Sequence, residues 1–95
     1  MNKKGYVYVM TNWNNRAIYI GVTSNLRKRV YQHKKHLFPG FTDQYNCTKL
    51  VYFEEYNDID SAIRREKQLK NWHRQWKKDL ISNFNKEWKD LAENI

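Results

Sequence analysis

Two ionisable side chains stand where helical periodicity asks for apolar ones. In LRKRVYQHKKHL, Leu26, Val30, His33 and Leu37 fall on one side of a helix turning about 100° per residue. His33 therefore lies within the stripe that should face the core, and Arg29 lies at its edge. In IDSAIRREKQLKNW, Ile59, Ala62, Ile63 and Leu69 form the apolar face, and Glu66 points into its middle. Taken singly, His33 has an ordinary reading as a packed core histidine with one hydrogen bond, and Arg29 as a snorkelling surface residue. Glu66 is harder to dismiss. An unpaired buried carboxylate costs several kcal/mol, so it must find a cation or take up a proton. A salt bridge to Arg29 or to Lys70 is one solution, and a divalent metal ion, for which carboxylate oxygen is a natural ligand, is another. Both anomalies would be explained if one sheet edge were polar, as at a site.

The elements that must hold these residues follow from local pattern. Gly5–Thr11, GYVYVMT, is rich in β-branched and aromatic residues and predicts a strand, with Tyr6, Tyr8 and Met10 on one face and Val7 and Val9 on the other. The polar turn NWNNR leads into a second strand, Ala17–Val22, so the two predict an antiparallel hairpin. There Tyr19 faces opposite to Ile18 and Ile20. The hydroxyls of Tyr8 and Tyr19 can then reach the place where His33, Arg29 and Glu66 converge. Tyr6, Tyr31 and Tyr52 read instead as structural tyrosines with solvated tips.

Thr23, Ser24 and Asn25 offer caps to a helix over Leu26–His36, which Phe38-Pro39-Gly40 ends. FTDQYNCT reads as a loop and Lys49–Tyr56 as a third strand. Asp58 caps the next helix, with Asp60 in its favourable first turn. Trp72, Trp76, Leu80 and Phe84 recur every four residues and predict a further apolar stripe, with a break near Asn71 to Arg74. Asn85 can cap a short last helix containing Trp88 and Leu91. The predicted class is α+β, a three-stranded antiparallel sheet flanked by helices in the order β-β-α-β-α-α.

The whole composition narrows the partners. Residues 1–95 predict one domain, and 40% hydrophobic with 16% aromatic content predicts a packed core rather than a disordered tail. Eighteen Lys and Arg against 10 acidic residues give a formal charge of +8. Such an excess in so short a chain points to an anionic partner, nucleic acid ahead of an anionic membrane, unless the protein is merely basic and soluble. Arg27, Lys28, Lys34 and Lys35 occupy the outer face of the first helix, and a further basic cluster runs from Arg64 to Lys78. A membrane surface would need an exposed apolar face opposite those lysines, and here the apolar faces are needed for the core.

Cys47 has no cysteine partner in the chain, the start MNKKG lacks an apolar signal core, and no run is long enough to span a membrane. A reducing, cytoplasmic setting is the expectation. His33, His36 and Cys47 are too few and too irregularly spaced to predict a structural zinc site.

The ordered set is more specific than any part. Tyr6-Val7-Tyr8 and Tyr19-Ile20-Gly21, followed by Arg29, His33 and a helical Glu66, resemble the GIY-YIG nuclease superfamily. That superfamily includes the N-terminal nuclease domain of the excision-repair subunit UvrC. AIRREKQLKNW and NKEWKDL resemble the second half of small stand-alone bacterial members of the YhbQ type, so the likeness spans nearly the whole chain. Of the first triplet only Tyr8 carries over to the family's first active tyrosine. Asn85 is a looser match to a late family asparagine, and its capping role stands beside it.

The resemblance implies metal-dependent hydrolysis of a phosphodiester, usually in DNA, with a link to DNA repair or processing. Glu66 would hold one divalent ion, Mg²⁺ or Mn²⁺, and Arg29 would clamp the scissile phosphate. Tyr8 would orient or deprotonate the attacking water. His33 would relay the proton, and Tyr19 would bond the phosphate or a metal-bound water. The competing reading is a basic nucleic-acid-binding module with weak or no catalysis. It explains the charge but leaves Glu66 in its apolar stripe unexplained.

Overall fold

A computed structural model describes residues 3–95. Three strands, β1 (Gly5–Thr11), β2 (Ile18–Thr23) and β3 (Lys49–Tyr56), form an antiparallel sheet in the order β2-β1-β3. Central β1 is paired on both sides, and its alternating side chains feed two cores. Val7 and Val9 pack with Ile20, Ala62, Leu69 and Ile81, while Tyr8 and Met10 pack with Leu26, Val30 and Leu50. The sheet is thus covered on both faces, by α1 (Leu26–Lys34) on one and by α3 (Ile59–Lys70) and α4 (Arg74–Phe84) on the other. A short helix, α2 (Phe41–Gln44), lies within the stretch expected to be a loop.

The caps behave as their chemistry demands. The Asn25 side chain accepts from the Lys28 backbone N–H at 3.1 Å, and Asp58 accepts from Ser61 at 2.9 Å. Helix α1 stops at Lys34, short of the expected His36, because His36 adopts a left-handed φ of 57° and the Leu37 N–H turns back to the Gln32 carbonyl. Leu37 is thereby rotated out of the stripe and left exposed. Helix α3 stops at Lys70 rather than reaching Trp72.

Two faces differ from expectation. Residue Ile81 is the buried residue of α4, whereas Trp76 and Phe84 are about half exposed. Trp76 and Ile81 are five positions apart, which sets them about 140° apart, so a four-residue repeat drifts off the face on which it starts. In β3 a register shift opposite Val9 and Met10 places Val51 as an extra residue. Tyr52 therefore turns into the core layer opposite that of Leu50. Its hydroxyl bonds Glu54, and the residue is buried, contrary to the solvated tip expected from the sequence.

Asn85 closes α4 and starts no further α-helix; a short 3₁₀ turn, Ala92–Asn94, follows instead. Among the described residues no helix is long and apolar enough to cross a membrane.

Candidate active site

The hairpin and α1 build one polar cluster inside an aromatic wall. Register pairs Tyr8 with Gly21 across β1 and β2. A Cβ at Gly21 would lie 2.5 Å from the Tyr8 hydroxyl and 2.8 Å from the Tyr19 ring, so the bare glycine makes the space in which the two tyrosines meet. From α1, His33 places Nε2 2.9 Å from the Tyr8 hydroxyl. The rings of Tyr8, Tyr19 and His33 form a triangle with centroid separations of 6.2, 5.5 and 5.7 Å. One turn earlier, Arg29 lays its guanidinium over the Phe38 ring at 4.3 Å and donates through Nε to Gln32 at 3.1 Å. Phe38 also meets His33 edge-on at 4.9 Å, so one ring braces both residues.

Burial and charge set the protonation of this cluster. Burial, with the Arg29 charge adding to it, lowers His33 to about 4, so the imidazole is neutral at neutral pH. Burial raises Tyr8 and neighbouring Tyr19 raises it further, while Arg29 opposes both. The resting Tyr8 is therefore a hydroxyl. Acting as a base would require a further positive charge beside it.

Glu66 takes the Lys70 solution rather than the Arg29 one. The pair lies at 3.1 Å with the carboxylate side chain 14% exposed, and the Lys70 ammonium sits 5.9 Å from the Tyr19 ring centre. Helix α3 covers the sheet face opposite α1, and it is Lys70, the partner of Glu66, that reaches the edge strand β2 beside Tyr19. A groove of about 260 Å³ runs there, lined by Ile18, Tyr19, Ile20, Phe41, Lys70 and Lys77. A second, of about 280 Å³, includes Arg29, Lys28 and Gln32. Larger concavities, of about 490 and 380 Å³, lie away from the cluster beside α4 and beside the chain's end.

A lone carboxylate suits one kind of ion. Magnesium keeps several waters and is held by one or two carboxylates plus substrate phosphate, so a single carboxylate such as Glu66, paired to groove-lining Lys70, fits it. Among the described residues no group of three or more His, Cys, Asp or Glu could cage a metal. His33 is committed to Tyr8 and Thr42, His36 to Asp43, and Cys47 is buried. The zinc alternative therefore lacks its ligand set.

The basic residues separate into two kinds. Lys28 on α1 and Lys35 just past its end are exposed. Lys34 instead reaches Asp90 and the Thr48 carbonyl at 2.8 Å, and Arg27 holds the Ile95 carbonyl, so both also tie down the C-terminal segment. Asn85 spends its amide on the carbonyls of Val51 and Lys89 and accepts from the Lys89 N–H, which is a structural clasp.

Sequence reasoning missed three members of the cluster. Thr42 meets His33 Nδ1 at 2.8 Å, Phe38 was read only as part of a helix stop, and Phe41 stacks on Tyr19 at 6.2 Å. No periodicity marks them, because they sit on a short connecting segment and reach His33 and Tyr19 only through the fold.

A family profile described as the GIY-YIG catalytic domain matches residues 4–79. A UPF0213 protein of Clostridium perfringens is 35% identical over 77 residues, covering 81% of this chain and 82% of that protein. One of Staphylococcus haemolyticus is 32% identical over 78 residues, covering 82% and 94%. The solution structure of a UPF0213 protein from Bacillus halodurans superposes with a TM-score of 0.53 over 83% of each chain at 24% identity, which supports the fold. Because the matched span runs from the tyrosine hairpin through the helix that carries Glu66, the chain belongs to the GIY-YIG catalytic domain family and, within it, to the UPF0213 proteins.

Proposed function

We propose that this chain is an endonuclease that hydrolyses phosphodiester bonds of nucleic acid, DNA ahead of RNA, with one Mg²⁺ or Mn²⁺ held by Glu66. DNA repair or processing is the setting that fits such an activity. The observation that carries the reading is the meeting of Tyr8 and Tyr19 in the space left by Gly21, with His33 bonded to Tyr8 and the Arg29 charge acting on it, beside a groove bearing Lys70 and Lys77.

Arg29 is the phosphate clamp. Phe38 and Gln32 hold its guanidinium in place, so its remaining N–H donors can meet two phosphate oxygens without a search for geometry. Those donors offset the charge that builds on the phosphate during hydrolysis. Tyr8 and Tyr19 direct their hydroxyls at the water and the phosphate. Neutral His33 holds Tyr8 in register. When bound, the ion supplies Lewis-acid stabilisation to a phosphate oxygen and to the departing oxyanion. Lys70 releases Glu66 for that purpose and remains in the groove as a cation for the backbone.

The test is incubation of the pure protein with labelled single-stranded, duplex and flapped DNA and RNA, in Mg²⁺, Mn²⁺ or EDTA. Cleavage should require the ion. Glu66→Gln should lose it steeply while binding persists. Normal cutting by a folded Glu66→Gln protein would reduce Glu66 to a structural carboxylate. Tight binding without cleavage in any metal would favour the binding-module reading.

A further inference from the structure

The hairpin turn and α4 enclose a groove of about 490 Å³ that shares no residue with the tyrosine cluster. We propose that this groove is a second phosphate-backbone site, which holds nucleic acid at a distance from the bond to be cut. Its use in positioning a substrate rests on the nuclease reading above, whereas its chemistry stands on the groove itself.

Four cations line it, Arg16, Arg74, Lys78 and Lys86, and they come from three separate segments of the chain. Local structure gathers them. At the turn, Asn15 takes a left-handed φ of 62° and the Asn14 side chain accepts from the Arg16 N–H at 3.2 Å. On α4, Arg74, Lys78 and Ser82 recur every four residues and so form one stripe. The Arg74 guanidinium donates to the Arg16 carbonyl, which ties the turn to the helix. Past α4, the Asn85 amide bonds the Val51 and Lys89 carbonyls, which fixes the segment that carries Lys86.

Among the described residues, none of the four forms an ion pair. That separates them from Lys34 and Arg65, whose charges are met by Asp90 and Glu54. The two carboxylates in the groove are already engaged: Asp79 accepts from Gln75 at 2.9 Å, and Glu87 pairs with Lys89 at 3.3 Å. Like charges gathered without a counter-charge repel, and a polyanion relieves that repulsion. Apart from the Trp88 ring the lining is wholly polar, which suits phosphate and sugar rather than a membrane's acyl chains. The same stretches of chain lead to the groove beside Tyr19. Ile18 and Lys77 line that one, two residues from Arg16 and next to Lys78.

The test is fluorescence anisotropy of labelled DNA in EDTA over a salt series, which needs no cleavage. Arg16→Ala/Lys86→Ala removes two exposed charges outside the helices, so the fold is kept. Its slope of log K against log salt should be shallower than wild type by about 1.8 on duplex DNA and about 1.4 on single strands, at about 0.9 and 0.7 per phosphate. Lys3→Ala/Lys4→Ala removes the same charge at the other end of β1 and should change the slope little. Equal slopes for the two double variants would overturn the proposal, because the charge would then act only as a field. So would loss of binding to phosphatidylserine vesicles by Arg16→Ala/Lys86→Ala with its DNA slope unchanged. A shallower slope with no cleavage by wild type in any metal would keep the groove and remove the nuclease reading. Cleavage with equal slopes would do the reverse.

Discussion

At the scale of single residues, Arg29 and Lys28 make a controlled comparison. They are neighbours on one helix, yet Arg29 is braced by Phe38 and Gln32 while Lys28 is exposed. Arg29→Ala should lower the single-turnover rate about 10²–10³-fold, as loss of one oxyanion donor does. Arg29→Lys should recover little, because an ammonium lacks the guanidinium fork. Lys28→Ala should weaken binding slightly and leave the chemical step intact. Equal, small losses for the two would reduce α1 to a basic helix. His33 makes a separate prediction about stability. The unfolded chain protonates it near its usual 6.5, whereas the folded protein holds it neutral until about 4. Between those values the unfolded state binds the extra proton, so stability is full above 6.5 and falls as pH drops towards 4, by up to about 3 kcal/mol. Urea melts across that range should show a smaller decline for His33→Gln than for wild type, and parallel curves would exclude His33 as the source.

At the scale of elements, the hairpin matters because of how closely its two strands carry their tyrosines. Gly21 lies opposite Tyr8 in register, and any side chain there meets the Tyr8 hydroxyl at 2.5 Å. Gly21→Ala should push Tyr8 off its place, costing about 1–3 kcal/mol of stability as overpacking does. Thermal melts and single-turnover rates together check this. Near-normal values in both would show that the Tyr8 ring has room to yield. Gly5 plays a different part: an added Cβ would come within 2.8 Å of the Ile59 backbone, so it lets α3 cross β1 closely. Helix α3 carries both Glu66 and its partner Lys70, which reaches Tyr19 on β2.

At the scale of the whole molecule, the net charge of +8 acts as a field rather than through one contact. Binding of duplex DNA should weaken with salt, with a slope of about −0.9 in log K against log salt per phosphate neutralised. Fluorescence anisotropy over a salt series measures it. A flat dependence would set nucleic acid aside as the natural partner. Lys34 and Arg27 should contribute less to that slope than Lys28 and Lys35, because their charged ends are already engaged with Asp90 and Ile95.

The sequence by itself determined the three strands, the hairpin and the two capped helices that follow β2 and β3. It did so because alternation, helical spacing and an Asn or Asp before a helix act over a few residues. The family likeness was legible for the same reason, since Tyr8, Tyr19, Arg29, His33 and Glu66 keep an ordered spacing. Partners far apart in the chain were beyond such patterns. That Glu66 pairs with Lys70 and not Arg29 depended on which sheet face α3 covers. That Tyr52 turns inward depended on a single extra residue, Val51, which reverses the alternation of β3. Thr42 and Phe38 joined the cluster only when the segment after α1 folded back over His33. Nothing in a polar threonine on a short connection announces the histidine it will meet, because that contact is made by tertiary packing and leaves no period in the sequence.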